Sequence, residues 1–421
     1  MNERTKKTLF IAGFLILCVA LAILILLRTE LRDEPTPTPT PARTVAPTLP
    51  PTPAPTPTPT ETIYTLSFVG DNTIANSNLS AHFDSVVKGD MSYCYKNVKP
   101  YLDGDEASFG NLECILSDNA LRSDSMFHFK APTKNAEMLV NAGFEYLTTA
   151  NNHTTDYGTA GLDDTLKALD GYGIAYGTEA KYGIFTTKSG LKLGVYCADR
   201  AYQMSGERAA AIVAALREQG AELVIFALHW GDEGMYRPSD YQKRLAHSYV
   251  DAGVDIVYGS HPHVLQPVEE YGKGLILYSM GNFCFGGNSG PRDMDTAIVQ
   301  ISFRRAADGS LERTGSTLIP CRISSVTSYN DYCPTPYDKG TPEYERVISK
   351  LTGTFTGPDI VPDYSFMATP SPTIVPSDTP SPTIAPSDTP EPTAAPVPPE
   401  PTQTPSPELP DEEETPADIA V

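Results

Sequence analysis

Two of the seven histidines in the chain, His261 and His263, are separated by one residue and follow closely after the apolar run "IVYG". The run predicts a buried strand, and Gly259 at its end allows close approach of the backbone to a crowded site. A turn would bring both imidazoles toward one place, and Pro262 stiffens the backbone between them. Because imidazole is a common metal ligand, this spacing predicts a metal-binding turn.

Polar side chains follow apolar segments in the same way at five further places. The residues at the six places are Asp71; Asn111 and Glu113; Asn151, Asn152 and His153; His229; His261 and His263; and Asn282. Imidazole, carboxylate and amide oxygen are ligands for borderline divalent ions such as Zn, Mn and Fe. Two such ions about 3.5–4 Å apart need a bridging carboxylate and several terminal ligands. The set that could supply them is Asp71, Glu113, Asn152, His229, His261 and His263.

Most of these residues also have a structural interpretation when they are taken one at a time. An aspartate after a strand, such as Asp71, is usually a turn residue or a helix cap, and His229 could be a satisfied core histidine. Their joint occurrence at six strand ends favours one shared site. Lys130 and Arg237 lie near these motifs and are candidates for contact with an anionic substrate, although a solvated surface position is the commoner role for either.

The elements that must position these residues alternate between strand and helix. The predicted strands are Tyr64–Val69, Ala107–Phe109, Tyr146–Thr149, Lys192–Cys197, Leu223–Leu228, Ile256–Tyr258, Leu275–Ser279 and Thr296–Phe303. The predicted helices are Thr133–Phe144 with Thr133 as N-cap, Ala160–Leu169, Gly206–Gln219, and Ser239–Asp251 with a capping box of Ser239 and Gln242. This alternation predicts βαβ units and a sheet covered on both faces. Ligands of such sheets bind outside the carboxyl ends of the strands, so the six clusters should meet at one edge.

The two ends of the chain differ in composition from this central region. The chain has 421 residues and 39 prolines, which concentrate in residues 28–60 and 365–421. These segments lack the apolar residues that offset ordering entropy, so we expect a linker and a disordered acidic tail. Residues 61–364 remain as one large α/β domain. The formal net charge of −21 argues against a nucleic-acid partner, which would require a basic face.

The N-terminus predicts a membrane anchor. Leu9–Leu27 has about 19 apolar residues without a charge, enough to cross the core of a bilayer. Arg4, Lys6 and Lys7 precede it, which favours a cytoplasmic end at residues 1–8 and an extracytoplasmic domain. A cleaved signal peptide is the alternative, but its shorter apolar core and A-x-A-like site are not evident. We therefore expect a single-pass protein of the cell membrane.

Several of these segments together resemble the CapA family of poly-γ-glutamate capsule biosynthesis proteins. The segments, in order, are "FVGDN", "NLEC", "AGFEYLTTANNHTTDYGTAGLDDTL", "FALHWGDE" and "DAGVDIVYGSHPHVLQPVEEYGKGLILYSMGNFCF". They span Phe68 to Phe285, which is most of the central domain. The family in turn is similar to the calcineurin-like metallophosphoesterases. The resemblance implies an α/β four-layer sandwich, two β-sheets flanked by helices, with a dinuclear metal centre at the strand ends.

The resemblance also implies a role for each site residue. The metal ligands would be Asp71 as the first-motif aspartate, Glu113 as the bridging carboxylate, Asn152 as the metal-binding amide, and His229, His261 and His263 as the later histidines. His153 would be the general acid beside them. Substrate contacts are predicted for Asn111, Asn151 and Asn282.

The sequence departs from the phosphoesterase pattern at three positions. The D-x-H motif is here Asp71-Asn72-Thr73, which has no histidine, and the G-D motif ends in Glu113. The G-H-x-H motif has Ser260 inserted after its glycine. One of the two metal sites could therefore be weaker or empty, and phosphatase activity does not follow from the resemblance.

One hypothesis leads, and two alternatives stay open beside it. The leading hypothesis is a membrane-anchored, extracytoplasmic CapA-like protein of capsule or anionic-polymer biogenesis. Two divalent ions, Mn, Zn or Fe, would activate water, and His153 would protonate the leaving group. Its partners would be the membrane, poly-γ-glutamate or a cell-wall component, and a membrane polyglutamate synthase. The alternatives are a non-catalytic accessory subunit that binds or exports nascent polyglutamate, and an amide hydrolase or transferase that trims the polymer or attaches it to the wall.

Overall fold

The computed structural model describes residues 62–200, 204–306 and 308–361. The predicted anchor Leu9–Leu27, the linker 28–60 and the tail 365–421 lie outside the described residues. Among the residues that are described, no helix is both long and apolar enough to cross a bilayer.

The chain divides into two units, Met1–Pro358 and Asp359–Val421, and the first unit contains every helix and strand described below. The strands are β1 (Ile63–Thr73), β2 (Asn76–Ser77), β3 (Ala107–Leu112), β4 (Ile115–Leu116), β5 (Phe129–Ala131), β6 (Tyr146–Thr148), β7 (Ala175–Gly177), β8 (Lys181–Thr186), β9 (Lys192–Asp199), β10 (Leu223–His229), β11 (Ile256–Ser260), β12 (Val268–Tyr271), β13 (Gly274–Leu277), β14 (Asn282–Phe285), β15 (Asp295–Arg305), β16 (Leu311–Arg322) and β17 (Thr335–Pro336). The helices are α1 (His82–Val87), α2 (Lys99–Leu102), α3 (Ala136–Ala142), α4 (Gly158–Tyr172), α5 (Gly206–Glu218), α6 (Asp240–Asp251) and α7 (Pro342–Leu351).

The first sheet has eight strands, with β1 in its middle. Its order is β17-β16-β15-β1-β3-β6-β7, and β14 pairs with the end of β1. The strands β1, β3, β6 and β7 run parallel to one another. β15 pairs antiparallel with β1 along Ile63–Phe68, and the parallel strand β14 replaces it at Asp71–Thr73. This change of neighbour places Asn282 directly beside Asp71.

The second sheet has six strands in the order β12-β13-β11-β10-β9-β8. Its four inner strands are parallel, and the two edge strands β12 and β8 run antiparallel to their neighbours. A small third sheet has the order β2-β5-β4. The inner strands of the second sheet are almost fully buried, because both of their faces are covered.

Three apolar clusters show how the layers stack. One fills the space between the two large sheets and includes Phe68 of β1 and Tyr258 of β11. A second packs the first sheet against helices, with Leu139 of α3 as a member, and a third packs Phe226 of β10 against Leu216 of α5. The layers are therefore helix, sheet, sheet and helix, as the resemblance implied. The strand–helix alternation alone predicted a single sheet, and that prediction is wrong.

Helix boundaries largely follow the sequence signals. The predicted helix Thr133–Phe144 is shorter in the structure, because residues Thr133–Asn135 form a 3₁₀ turn before α3 begins. Thr133 does not cap this helix, since its N–H and its hydroxyl both donate to the carboxylate of Asp118. Gly143 ends α3 with φ 98°, a left-handed conformation that glycine adopts without steric cost. The capping box at the start of α6 is confirmed.

Candidate metal centre

The carboxyl ends of parallel strands from both sheets meet at one edge of the sandwich. Strands β1, β3 and β6 contribute polar residues from the first sheet, β10 and β11 contribute them from the second, and β14 adds Asn282. Contacts no longer than 4.0 Å connect all ten residues that the sequence singled out. The six clusters therefore form one site, and they form it across two sheets rather than along one.

One group of donors consists of Glu113, His229 and His261, whose candidate ligand atoms lie within 4.8 Å of one another. His229 Nε2 is 3.0 Å from His261 Nδ1 and 3.6 Å from Glu113 Oε1. Asn152 Oδ1 adds an oxygen at 2.7 Å from the same His229 nitrogen. On the other side of the ring, His229 Nδ1 lies 2.9 Å from the Ser260 hydroxyl, which can accept its proton and leave Nε2 free as a ligand.

A second group consists of Asp71, Glu113 and His263 and also falls within 4.8 Å. His263 Nδ1 is 3.3 Å from Asp71 Oδ2, and His263 Nε2 is 3.8 Å from Glu113 Oε1. Asn282 Oδ1 lies 2.9 Å from His263 Nδ1, so an amide oxygen stands beside this group as well. Glu113 belongs to both groups, which is the position of a bridging carboxylate.

The carboxylates of this site are buried with too few hydrogen-bond donors. Both oxygens of Glu113 and the Oδ2 atom of Asp71 accept no hydrogen bond within the described part of the chain. A buried carboxylate in that state is strongly unfavourable unless a cation compensates it. The donor set of two carboxylates, three imidazoles and nearby amide oxygens matches the preferences of Mn, Zn and Fe. The residues present therefore fit a pair of divalent cations.

Burial and the neighbouring charges also shift the pKa values of the ionisable side chains in the site. Burial raises the pKa of Glu113 well above its usual range, and the charge of Asp71 raises it further. Burial also lowers the pKa of His229 well below its usual value, and burial together with His263 lowers the pKa of His261 to about 4. Burial alone would lower the pKa of His263, but Glu113 and Asp71 outweigh it and raise that pKa to about 10. A proton on His263 thus offsets part of the charge of the carboxylates, in the place that a divalent cation would occupy.

Three amide side chains that were predicted to contact substrate have other partners in the structure. Asn111 donates to Asp71 Oδ1 at 2.9 Å and accepts from Asn151 Nδ2 at 2.9 Å. Asn151 also donates to the carbonyl of Leu112 at 2.8 Å. All three amides, including Asn282, are buried. Their contacts support a role in orienting the metal-ligand candidates rather than in touching substrate.

His153 is held at the border of the site by a carboxylate. Its Nδ1 donates to Asp156 Oδ2 at 2.8 Å, and the same oxygen accepts the N–H of Phe129 at 3.1 Å. The Phe129 ring packs edge-on against the imidazole with centroids 4.6 Å apart. His153 Nε2 therefore points into the site, where it lies 4.0 Å from Glu113 Oε1.

The turn that carries His261 and His263 has an unusual backbone. The two residues have φ values of 97° and 56°, in the left-handed region that costs a non-glycine residue about 1–3 kcal/mol. Gly259 before them is required, because a Cβ there would lie 2.6 Å from Trp230 Nε1. Gly70 before Asp71 is required in the same way, since its Cβ would overlap the carbonyl of Gly281.

A family model described as "Bacterial capsule synthesis protein PGA_cap" matches residues 65–287, more than half of the chain. The chain belongs to this family. The matched residues include both donor groups and their supporting amides, from Asp71 to Asn282. The whole candidate site therefore lies within the part of the chain that defines the family.

Two relatives with assigned names show the extent of the similarity. The capsule biosynthesis protein CapA of Bacillus anthracis is 31% identical over 274 residues, 57% of this chain and 64% of that protein. The PGA biosynthesis protein CapA of Bacillus subtilis (strain 168) is 30% identical over 319 residues, 69% of this chain and 78% of that protein. This chain therefore spans less than two thirds of the Bacillus anthracis protein.

Among solved structures, a hypothetical protein from Thermus thermophilus is similar with a TM-score of 0.39 and 13% identity, covering 61% of this chain and 98% of that one. A TM-score this low adds nothing to the assignment of the fold, which rests on the sheet order and the layer packing of this chain.

Thr73 stands where the phosphoesterase pattern would have a histidine. Its side chain is fully buried, and its hydroxyl donates to the carbonyl of Glu113 at 3.1 Å. The Thr73 side chain of this chain thus supports the backbone of Glu113, the carboxylate shared by the two donor groups. The second donor group lacks that histidine and has Asn282 Oδ1 close to His263 in addition.

Sequence reasoning missed Asp199 and Arg200, which follow one another at the end of β9. Asp199 pairs with His229 in the sheet register, and the Arg200 N–H donates to the His229 carbonyl at 2.8 Å. The sequence feature that could have identified them is "CADR" at the end of β9, where an acidic and a basic residue follow an apolar run. The Lys130 side chain, a candidate from the sequence for contact with an anionic substrate, instead donates to the carbonyls of Ser117 and Asn119.

Proposed function

We propose that this protein acts in poly-γ-glutamate capsule biosynthesis through a hydrolase-type centre with two divalent cations. Membership of the capsule synthesis family and the names of the two CapA relatives support the biological role. One observation carries the chemical part, namely the buried carboxylate of Glu113 with two oxygens that lack a hydrogen bond from any described residue. The apolar segment Leu9–Leu27 supports an extracytoplasmic domain anchored to the membrane.

The residues of the site would have two roles at such a centre, binding of the cations and orientation of the ligands. The candidate ligands are Asp71, Glu113, Asn152, His229, His261 and His263, with the oxygen of Asn282 close by. Cations held there would polarise the scissile group and lower the pKa of a water molecule. Asn111 and Asn151 fix the direction of the Asp71 carboxylate through two successive hydrogen bonds.

His153 is the candidate general acid. Asp156 accepts the hydrogen bond of its Nδ1, which fixes the orientation of the ring and directs Nε2 into the site. The 4.0 Å between His153 Nε2 and Glu113 Oε1 is too long for a hydrogen bond. A leaving atom placed against Nε2 would therefore take its proton without competition from the carboxylate.

The test uses full-length protein purified without chelators. Metal content is measured by mass spectrometry, and turnover is measured with a phosphodiester and with γ-linked polyglutamate as substrates. The protein should retain about two ions per chain and hydrolyse at least one substrate. His261→Ala should retain only about one ion per chain and lose turnover, because it removes a donor of one group. His247→Ala should keep both ions and turnover, because His247 lies on α6 and stacks on Tyr271 away from the donor groups. A metal-free, inactive protein, with His261→Ala harmless to capsule formation, would refute the enzyme proposal.

A further inference from the structure

Asp199 and Arg200 lie beside the metal centre but belong to neither donor group. Along β9, Val195 and Cys197 face the cluster between the sheets, whereas Tyr196 and Ala198 face the helices. Because side chains alternate along a strand, Asp199 continues the inner face. Its register partner on β10 is His229, so the two side chains stand next to each other at the same edge.

The carboxylate of Asp199 has a free acceptor site. Its Oδ1 atom is buried and accepts no hydrogen bond from the described residues. The N–H of Asp199 donates to Glu179 Oε2 at 2.6 Å, which brings a second carboxylate close by. Burial raises the pKa of Asp199, while the charges of Arg200 and His153 oppose that rise, so both lie within electrostatic range. The surroundings of Asp199 Oδ1 therefore favour a positively charged hydrogen-bond donor.

Arg200 supplies the opposite charge directly after Asp199, at the end of β9. Its φ of 49° is in the left-handed region, which is uncommon for a residue with a side chain. Its side chain is 58% exposed, and its Nε lies 3.9 Å from Asp199 Oδ1, beyond hydrogen-bond distance. Burial and the neighbouring histidines dominate the low pKa of His229, and Arg200 contributes to it from outside. The guanidinium is thus near the centre, and within the described residues it makes no contact with the Asp199 carboxylate shorter than 3.9 Å.

We propose that Asp199 and Arg200 form a subsite for the amino-acid end of a polymer, where an ammonium and a carboxylate share one carbon. This inference rests on the proposed function and names the substrate class of the same site. The ammonium would donate to Asp199 Oδ1, and the carboxylate would pair with the guanidinium of Arg200. A phosphodiester has no donor for Asp199 and would be repelled by it, so the subsite favours an amide-linked chain.

The dimensions agree with a γ-linked glutamyl residue. Its ammonium nitrogen and its γ-carbonyl carbon are four bonds apart, about 5 Å when extended. Neighbouring strands are about 4.8 Å apart, which is the spacing between Asp199 on β9 and His229 on β10. A terminal residue held by Asp199 and Arg200 would therefore present its γ-amide to the donor groups and to His153.

The reaction that follows is hydrolysis of the terminal γ-amide. One water is consumed: its oxygen bonds to the γ-carbonyl carbon, and the C–N bond breaks. The departing nitrogen takes the proton of His153, which recovers it from the attacking water. The products are free glutamate and a polymer that is one residue shorter and carries a new amino-acid end.

The test measures binding, so it does not depend on turnover. Full-length protein with added Mn²⁺ is titrated with a γ-linked glutamate oligomer and with the same oligomer acetylated on its terminal nitrogen. The free oligomer should bind about tenfold more tightly or better, because acetylation removes the charged donor. Asp199→Asn should abolish that preference, and Arg200→Gln should weaken binding of both oligomers. The exposed variants Asp103→Asn and Arg244→Gln serve as controls and should leave both affinities unchanged.

Equal affinity of the wild-type protein for the two oligomers would overturn the subsite, and this comparison requires no variant. An Asp199→Asn protein with an undiminished preference would overturn it as well. Failure of the proposed function is a separate result, in which the metal analysis and both turnover assays are negative. A free-end preference that depends on Asp199 would uphold the subsite even in that case.

Discussion

Replacement of Glu113 by glutamine should have opposite effects on the metal-free and the metal-loaded protein. The substitution keeps the shape of the side chain and removes one buried charge beside Asp71. In the metal-free chain both oxygens of Glu113 lack hydrogen-bond donors among the described residues. The amide of the variant brings two N–H donors into a site rich in acceptors, so its unfavourable burial is relieved. In the metal-loaded protein the same change removes the ligand shared by the two donor groups.

The magnitudes follow from these two roles. Relief of an unsatisfied buried group is worth about 1–3 kcal/mol, so Glu113→Gln should stabilise the metal-free protein by that amount. For a domain of this size, the melting temperature should rise by about 2 °C for each kcal/mol. Metal at 100 times its dissociation constant stabilises a protein by about 2.7 kcal/mol per site. Two sites would therefore raise the melting temperature of the wild-type protein by about 10 °C, and the variant should lose most of this rise.

Differential scanning fluorimetry of the full-length protein, with chelator and with Mn²⁺, measures both effects. Glu218→Gln, an exposed change at the end of α5, is the matched control and should alter neither curve. The reasoning is refuted if Glu113→Gln melts lower than the wild-type protein in chelator, because Glu113 would then be a structural residue. It is also refuted if the wild-type melting temperature is insensitive to divalent ions.

Three further predictions concern single side chains. His261→Ala and His263→Ala should each leave about one ion per chain, because each removes a donor of one group only; two ions retained by either variant would contradict the assignment. His153→Asn should lower turnover by about 10²–10⁴-fold at unchanged metal content, and a loss of metal would show a ligand instead. Asp295→Asn should cost about 3 kcal/mol in the free energy of unfolding at pH 7, since Arg346 binds both carboxylate oxygens at 2.7 Å. Burial would raise the pKa of Asp295, but Arg346 and Lys350 together outweigh it and lower that pKa. The wild-type protein should therefore have the higher free energy of unfolding above about pH 4. In urea titrations, this difference from Asp295→Asn should disappear as the pH falls through the folded-state pKa of Asp295.

The sequence alone predicted the inner strands of the second sheet, but it did not predict every strand at the edges of the sheets. Inner strands are apolar on both faces, so β10 and β11 appear as apolar runs. β16 was not predicted, because it is half exposed, carries several charges and contains Gly315 and Pro320. Its antiparallel pairing with β15 along almost its full length holds it in the sheet. The division of the strands between two sheets is also invisible in periodicity, because runs buried on both faces look alike in either sheet.

The candidate site was predictable for a related reason. Parallel strands present their carboxyl ends at one edge, so polar residues after apolar runs could be grouped without coordinates. What the sequence could not supply is the direction of each amide. Asn111 and Asn152 look equivalent in the sequence, yet one donates to Asp71 and the other places its oxygen 2.7 Å from His229 Nε2. That difference arises from the strand register and from the neighbours across the sandwich.

The two halves of the site come from different sheets, so the packing between the sheets fixes their separation. Tyr258 of β11 crosses the inner core and donates to the carbonyl of Val69 of β1 at 2.6 Å. Val69 lies two residues before Asp71, and Tyr258 lies three residues before His261. Because the Tyr258 ring also packs against Phe68 in a fully buried core, neither strand can slide without breaking that contact. The shared carboxylate of Glu113 thus meets ligands from both sheets at distances that the hydrophobic core determines, which is why a site built from six distant segments can be rigid enough for two cations.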